Sequence, residues 1–158
     1  MKAVKVIAVV TLLAVGAAFA LEGAALSAAG DKKGDGKTTV RIVLKSVKVS
    51  ETNKDGQAWD INNGKPDLIV RIKNDSDSTI KEFASQEKSD VFEATWNVET
   101  ILAREGQNVT FTVVDKDLAA DDLIGKKTVT LTADMITKGR AEMTFDQVKS
   151  LVVEFKKQ

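Results

Sequence analysis

Residues 108–132 read NVTFTVVDKDLAADDLIGKKTVTLT, in which two alternating runs flank an acidic loop. In the first run apolar side chains alternate with threonines, and one face carries Val109, Phe111 and Val113. A period of two is typical of a strand with one buried face. The loop holds four aspartates, Asp115, Asp117, Asp121 and Asp122. Because like charges this close repel, the loop is either a well-solvated turn or a loop that expects a hard cation.

The same period of two dominates the chain from residue 38 onward. The β-like runs are TVRIVLKSVKVS, DLIVRIK, TIKEFA, DVFEATW, VETILA, NVTFTVV, KTVTLT, RAEMTF and VKSLVVEFK. In the first of them the alternation slips at Ser46, as a β-bulge would cause. The only helical signal falls near 133–138, where Thr132 suits the N-cap and Gly139 the end of the helix. These patterns predict an all-β fold, an antiparallel eight-stranded β-sandwich with one short helix.

The composition removes whole classes of function. The chain has 158 residues, no cysteine and no histidine. A disulfide, a Cys/His zinc site and a Ser-His-Asp or Cys-His catalytic arrangement are therefore excluded. Any bound metal must be held by oxygen, which favours calcium or magnesium. With 23 basic and 23 acidic residues the net charge is zero, so we expect no nucleic acid partner.

The N-terminus is typical of an export signal. Lys2 and Lys5 precede an unbroken apolar stretch over residues 6–19, and Ala18-Phe19-Ala20 is a small-x-small cleavage site. Four of the ten glycines follow in a stretch without aromatic residues, which indicates a flexible tether. We therefore expect a protein exported to the periplasm or the exterior. Its predicted parts are a cleaved signal peptide, a linker and a β-sandwich domain, at residues 1–20, 21–37 and 38–158.

A second set of carboxylates lies in a turn-rich stretch upstream. In ETNKDGQAWDINNGKPDLIVRI, Asp60 and Asp67 are seven residues apart, and Asp67 directly precedes a strand-like run. Calcium takes six to eight oxygen ligands, more than one loop supplies without strain. Two loops at one end of a sandwich supply them, and the predicted ligands are Asp60, Asp67, Asp115, Asp117 and Asp122. Two alternatives stay open, Asp121 for Asp122 and Asp55 for Asp60.

Three segments together resemble one known family. WDINNGKPDLIVRI, TWNVET and VVDKDLAADDLIGK occur in the order found in the C2 domain, the calcium- and phospholipid-binding module of synaptotagmins and protein kinase C. The resemblance covers roughly residues 38–157. It implies a C2-like sandwich in which five aspartates from two loops bind two or three calcium ions, at the same five positions.

The leading functional hypothesis is a stand-alone binding module without enzymatic activity, expected to be a monomer. It would bind membrane phospholipid or an acidic partner when calcium is present. The alternative is an exported structural or protein-interaction domain in which calcium only rigidifies the loops. The candidates for contact with a membrane are Trp59, Ile61 and Leu118.

Overall fold

The structure is a computed structural model that describes residues 36–60, 64–118 and 120–158. The predicted signal peptide and nearly all of the predicted linker lie outside these residues. The described part contains eight strands and one helix: β1 (Thr39–Val49), β2 (Leu68–Asn74), β3 (Phe83–Ala84), β4 (Glu93–Arg104), β5 (Asn108–Asp115), β6 (Asp122–Thr130), α1 (Ala133–Lys138), β7 (Arg140–Phe145) and β8 (Val148–Lys157). No helix within these ranges has the length and hydropathy needed to cross a membrane.

The strands form two four-stranded antiparallel sheets. The strand order is β4-β1-β8-β7 in one sheet and β3-β2-β5-β6 in the other. The alternating side chains of the two inner faces meet between the sheets, and the largest fully buried members of this core include Phe111, Ile42, Leu44, Leu68 and Ile72. The predicted antiparallel β-sandwich is thus confirmed, since period-two patterning places every second side chain in the core.

The predicted phase slip in β1 is a real irregularity. The register of β1 shifts between Leu44 and Ser46 against both of its neighbours, β4 and β8. At the same level β4 carries Asn97 with a φ of 57°, and the Lys45 ammonium donates a hydrogen bond to the Asn97 side chain. The predicted runs DVFEATW and VETILA are therefore one strand with a bulge rather than two strands.

Other boundaries differ from the sequence predictions in an instructive way. Only Phe83 and Ala84 of the run TIKEFA pair with β2, whereas β6 begins at Asp122, five residues before the predicted KTVTLT run. The short helix matches its prediction: the Thr132 side chain accepts a hydrogen bond from Met135 N, and Gly139 follows with a φ of 69°. The early start of β6 matters for function, because it leaves only residues 116–121 to span the acidic turn.

Candidate functional site: an acidic end of the sandwich

The pairing of β2 with β5 brings the two predicted acidic loops together. The two strands are antiparallel, and Leu68 at the start of β2 lies opposite Asp115 at the end of β5. The loop that leads into β2 and the loop that leaves β5 therefore emerge at the same end of the sandwich. Asp67 N donates a 2.7 Å hydrogen bond to Asp115 Oδ1, and Lys116 N donates one of 2.8 Å to the carbonyl oxygen of Asp67.

Asp115 is the most unusual carboxylate of the domain. It is 1% exposed, and its Oδ2 is a buried oxygen with no hydrogen-bond partner among the described residues. Burial raises the pKa of Asp115 from 3.8 to about 6, and the charges of Asp60, Asp117 and Asp67 act in the same direction. The hydrogen bond from Asp67 N opposes the shift and does not cancel it. A buried acceptor without a donor is costly, so this oxygen requires a partner that the described chain does not supply.

Asp60 shows that the acids of the two loops act on one another. Burial raises the pKa of Asp60, and the neighbouring charges of Asp117, Asp67 and Asp90 raise it further. Its backbone N–H points to the carbonyl oxygen of Gly64 at 3.5 Å, which fixes Asp60 near the start of the segment that leads into β2. Mutual repulsion of this kind marks a site whose net negative charge has not been neutralised.

A third loop, residues 85–92, adds an acid that the sequence predictions missed. Asp90 N donates a 2.7 Å hydrogen bond to Asp67 Oδ1, and Asp90 Oδ1 accepts one of 3.1 Å from Lys65 N. Asp90 has a φ of 54°, in the left-handed region that few residues other than glycine, asparagine and aspartate adopt. The available signal was its position: Asp90 directly precedes the run VFEATW, just as Asp67 directly precedes LIVRI.

The arrangement fits a hard cation in its chemistry. The aspartates at this end offer carboxylate oxygens as metal ligands, and one buried carboxylate oxygen, Asp115 Oδ2, lacks a hydrogen-bond partner among the described residues, which suits calcium. The carboxylates nevertheless stand apart: across residues 36–60, 64–118 and 120–158, no three acidic side chains are arranged to hold a metal ion. Asp60, Asp67, Asp90, Asp115 and Asp117 thus share an electrostatic field, which we call the acidic end, without a closed coordination shell.

Asp122, the fifth predicted ligand, lies at the border of the acidic end. It is directly opposite Asp115 in the β5–β6 pair, and its side chain is exposed. It also lines a cleft of about 600 Å³, together with Asn53, Lys54, Asp55, Trp59, Leu123, Ile124, Gly125, Asp146 and Gln147. Asp55, the alternative to Asp60, lies on the wall of this cleft, in a turn held by the Asn53 side chain.

Asp121, the alternative to Asp122, is engaged elsewhere. Its Oδ2 accepts a hydrogen bond from Arg71 Nη2, and its Oδ1 lies 2.9 Å from Lys116 Nζ. The hydrogen bond from Lys116 lowers the pKa of Asp121, and the Arg71 charge lowers it further. Asp121 therefore differs from the acids of the acidic end, because it is already paired with two cations.

The candidates for membrane contact differ in solvent exposure. Leu118 in the β5–β6 loop is fully exposed, and Leu123, which the sequence predictions did not include, is 61% exposed. Trp59 is half-buried, packs against the core and donates its indole N–H to the carbonyl oxygen of Ser50 at 2.9 Å. Ile61 lies outside the described residues. One exposed leucine thus lies within the acidic turn and the other lies just after it, at the start of β6.

Comparisons with known proteins agree with this architecture. The family model of the C2 domain matches residues 39–146. The first C2 domain of plant extended synaptotagmin 1 is 17% identical, with a TM-score of 0.58, over 77% of this chain and 94% of that one. Human GIVD cytosolic phospholipase A2, in complex with a fluorophosphonate inhibitor and terbium chloride, is 16% identical, with a TM-score of 0.57, over 77% of this chain.

The chain spans only 17% of the length of that phospholipase. The calcium-bound structure of the paired C2 domains of extended synaptotagmin 2 is 20% identical, with a TM-score of 0.52, over 75% of this chain and 45% of that one. At these identities the solved structures establish a shared fold. The comparison with curated proteins gives no match.

Proposed function

The chain belongs to the C2 domain family, and we propose on that basis that it is a calcium-dependent module that binds anionic phospholipid. Membership of the family supports a role in binding membranes or lipids. Calcium dependence, the lipid class and the ligands are the parts that we propose. We also propose that the module is exported and that it has no catalytic activity of its own.

The observation that carries the calcium proposal is the orphaned oxygen of Asp115. A fold that needed these aspartates only for solubility would leave their oxygens in water, where hydrogen bonds are available. Asp115 Oδ2 is instead buried without a partner among the described residues, and it lies in a field of acids that helps to raise the pKa of Asp115 to about 6. Among the fold neighbours, extended synaptotagmin 2 was solved with calcium bound.

The proposed ligands are the predicted set, Asp60, Asp67, Asp115, Asp117 and Asp122, with Asp90 as a further donor. Calcium, when bound, would neutralise these carboxylates and offer open coordination positions to an anionic head group. Once neutralised in this way, the aspartates would no longer repel anionic lipid, and the acidic end would accept it.

The apolar contact is proposed to come from Leu118 and Leu123. Both leucines are exposed, Leu118 in the loop that carries Asp117 and Leu123 beside Asp122 at the start of β6. Burying a leucine side chain contributes about 1.5–3 kcal/mol, so two of them give a weak and reversible membrane contact. Charge neutralisation must therefore supply much of the affinity, which makes binding sensitive to chelation and to salt.

Vesicle sedimentation with the full chain tests the proposal. Vesicles of phosphatidylcholine alone and of phosphatidylcholine with phosphatidylserine are compared in calcium and in chelator. We expect the protein to pellet only with phosphatidylserine and calcium, and Asp115→Asn combined with Asp117→Asn to abolish pelleting. Asp134→Asn, which removes an acid paired with Lys138 on α1, is the matched control and should pellet like the wild type.

Two other outcomes have a definite meaning. Pelleting that persists in chelator would disprove calcium dependence. Calcium binding without pelleting would disprove lipid binding. It would favour the alternative, a protein-interaction domain in which calcium only rigidifies the loops. Leu118→Ala should weaken pelleting and leave calcium binding unchanged, since it removes apolar contact and no ligand.

A further inference from the structure

The β5–β6 loop is tied down at both ends by one small ionic network. Asp121, the last residue of the loop, accepts a hydrogen bond from Arg71 with one carboxylate oxygen. Its other carboxylate oxygen forms an ion pair of 2.9 Å with Lys116. Lys116 Nζ also donates a 3.0 Å hydrogen bond to the carbonyl oxygen of Asp117. The Asp121 side chain is 18% exposed, whereas those of Arg71 and Lys116 are 39% and 41% exposed, so the carboxylate is sheltered and solvent screens its two cations.

Arg71 connects this loop to an inner strand of its sheet. It lies in the middle of β2, a strand that has β3 on one side and β5 on the other. Arg71 is opposite Ala84 and Thr112 in those neighbours, and Lys116 N is hydrogen-bonded to the Asp67 carbonyl oxygen. The leading end of the loop is thus held by its backbone, and the returning end is held by the Asp121 side chain.

We propose that Arg71, Asp121 and Lys116 form a latch that positions the β5–β6 loop for calcium, and that Asp121 is a positioning residue rather than a ligand. This inference rests on the proposed function and selects Asp122 over Asp121, the alternative that the sequence left open. The latch holds Asp117 and Asp122, which lie within and just after the loop, in place relative to Asp115. Without it the loop must be ordered during binding, and that ordering weakens the affinity.

The latch and simple electrostatics predict opposite changes in calcium affinity when Arg71 is removed. Removing a cation near a calcium site should strengthen calcium binding, because one repulsive charge is lost. If Arg71 acts through the latch, Arg71→Gln should instead weaken calcium binding. Lys73 provides the matched control: it lies two residues along the same strand face and pairs with Asp75 at 3.2 Å rather than with the loop.

Calcium titration calorimetry of the full chain shows whether each variant binds calcium more weakly or more tightly than the wild type. We expect Arg71→Gln and Asp121→Asn each to raise the dissociation constant about two- to fivefold, with the number of bound ions unchanged. The double variant should bind no more weakly than the weaker single variant, because the two side chains belong to one contact. Lys73→Gln should bind as the wild type does or more tightly.

Three results would overturn the latch. Arg71→Gln could bind calcium more tightly than the wild type, as simple electrostatics predicts. Asp121→Asn could lose an ion from the stoichiometry, which would make Asp121 a ligand. The effects of Arg71→Gln and Asp121→Asn could also add fully, which would show that the two residues act independently.

Hydrogen exchange in chelator separates the latch from the proposed function. Arg71→Gln and Asp121→Asn should both accelerate exchange of amides in residues 116–121, and Lys73→Gln should not. If the wild type binds no calcium and this acceleration is still seen, the latch stands and the calcium proposal fails. If exchange is unchanged in both variants, the latch fails whatever the calcium titration shows.

Discussion

The acidic end and the outer face of the β4-β1-β8-β7 sheet use their carboxylates in opposite ways. On that sheet three glutamates each lie beside a lysine of another strand: Glu154 with Lys45 at 3.3 Å, Glu93 with Lys48 at 3.4 Å and, across the intervening β1, Glu99 with Lys156 at 3.0 Å. At the acidic end, none of the described ion pairs involves Asp60, Asp67, Asp90, Asp115 or Asp117.

This contrast shows that unpaired charge is a local property of the domain. Basic residues are plentiful, since the chain has as many of them as acids. The outer sheet face pairs its charges across strands, which gives solubility at little energetic cost. The acidic end lowers the stability of the isolated domain, because its carboxylates repel and one of them is buried. A counter-charge from outside the chain, as proposed above, would resolve that imbalance.

The largest effect that follows from the contrast is thermal stabilisation by calcium. At a calcium concentration of about one hundred times the dissociation constant, binding adds about 2.7 kcal/mol to the free energy of unfolding. We expect the melting temperature to rise by roughly 5–10 °C. Asp115→Asn combined with Asp117→Asn should gain almost nothing from calcium and melt no lower than the wild type in chelator, as measured by circular dichroism melts.

The paired face supplies the control for this melt. Glu93→Gln combined with Glu154→Gln also removes two negative charges, but both come from ion pairs with Lys48 and Lys45. This variant should keep the full gain from calcium. An equal loss of gain in the two double variants would mean that calcium acts through net charge alone, and the distinction between the two regions would fail.

An effect of similar size is expected from pH in the absence of calcium. The folded-state pKa of Asp115 is about 6, against 3.8 in the unfolded chain, so the folded state binds more protons between about pH 4 and 6. The free energy of unfolding should therefore rise by about 2–3 kcal/mol as the pH falls through this window, and this gain is lost again as the pH rises. Asp60 adds in the same direction.

Denaturant unfolding in chelator at several pH values in this range measures how the free energy of unfolding depends on pH. Asp115→Asn should flatten this dependence, whereas Asp134→Asn should not. Below about pH 4 the trend should reverse, because the pKa values of Asp75 and Asp121 are lowered and protonation then removes the stability that these acids contribute. A wild type that loses stability continuously from pH 6 downward would show that Asp115 is not buried as described.

Local patterns predicted the scaffold well. Alternation of apolar side chains identified the strands, the slip at Ser46 identified the register shift in β1, and Thr132 and Gly139 bounded the helix. Each of these features depends on residues that are neighbours in sequence, so the physical cause is visible there. The same local view divided β4 at Asn97, because a bulge that a neighbouring strand stabilises has no local signature that differs from a strand end.

The acidic end was predicted only in part for the same reason. That Asp67 and Asp115 meet follows from two strand ends and a family resemblance. The contribution of Asp90 depends on the 85–92 loop, where Lys88 pairs with Leu68 through hydrogen bonds of 2.9 and 3.0 Å. The contact between Arg71 and Asp121 joins residues 50 positions apart. Long-range pairing decides both contacts, and a single sequence does not contain it.

The smallest expected effect comes from breaking one pair on the outer sheet face. Lys45 and Glu154 are about one-third exposed, so Glu154→Gln should lower the free energy of unfolding by only about 0.5–1 kcal/mol, and less at high salt. Asp115→Asn in chelator should change stability in the opposite direction at neutral pH, because it removes a buried charge instead of half of an ion pair. Parallel denaturant titrations of the two variants measure both signs. If Asp115→Asn were the more destabilised of the two without calcium, Asp115 Oδ2 would already have a partner, and the contrast between the two regions would disappear.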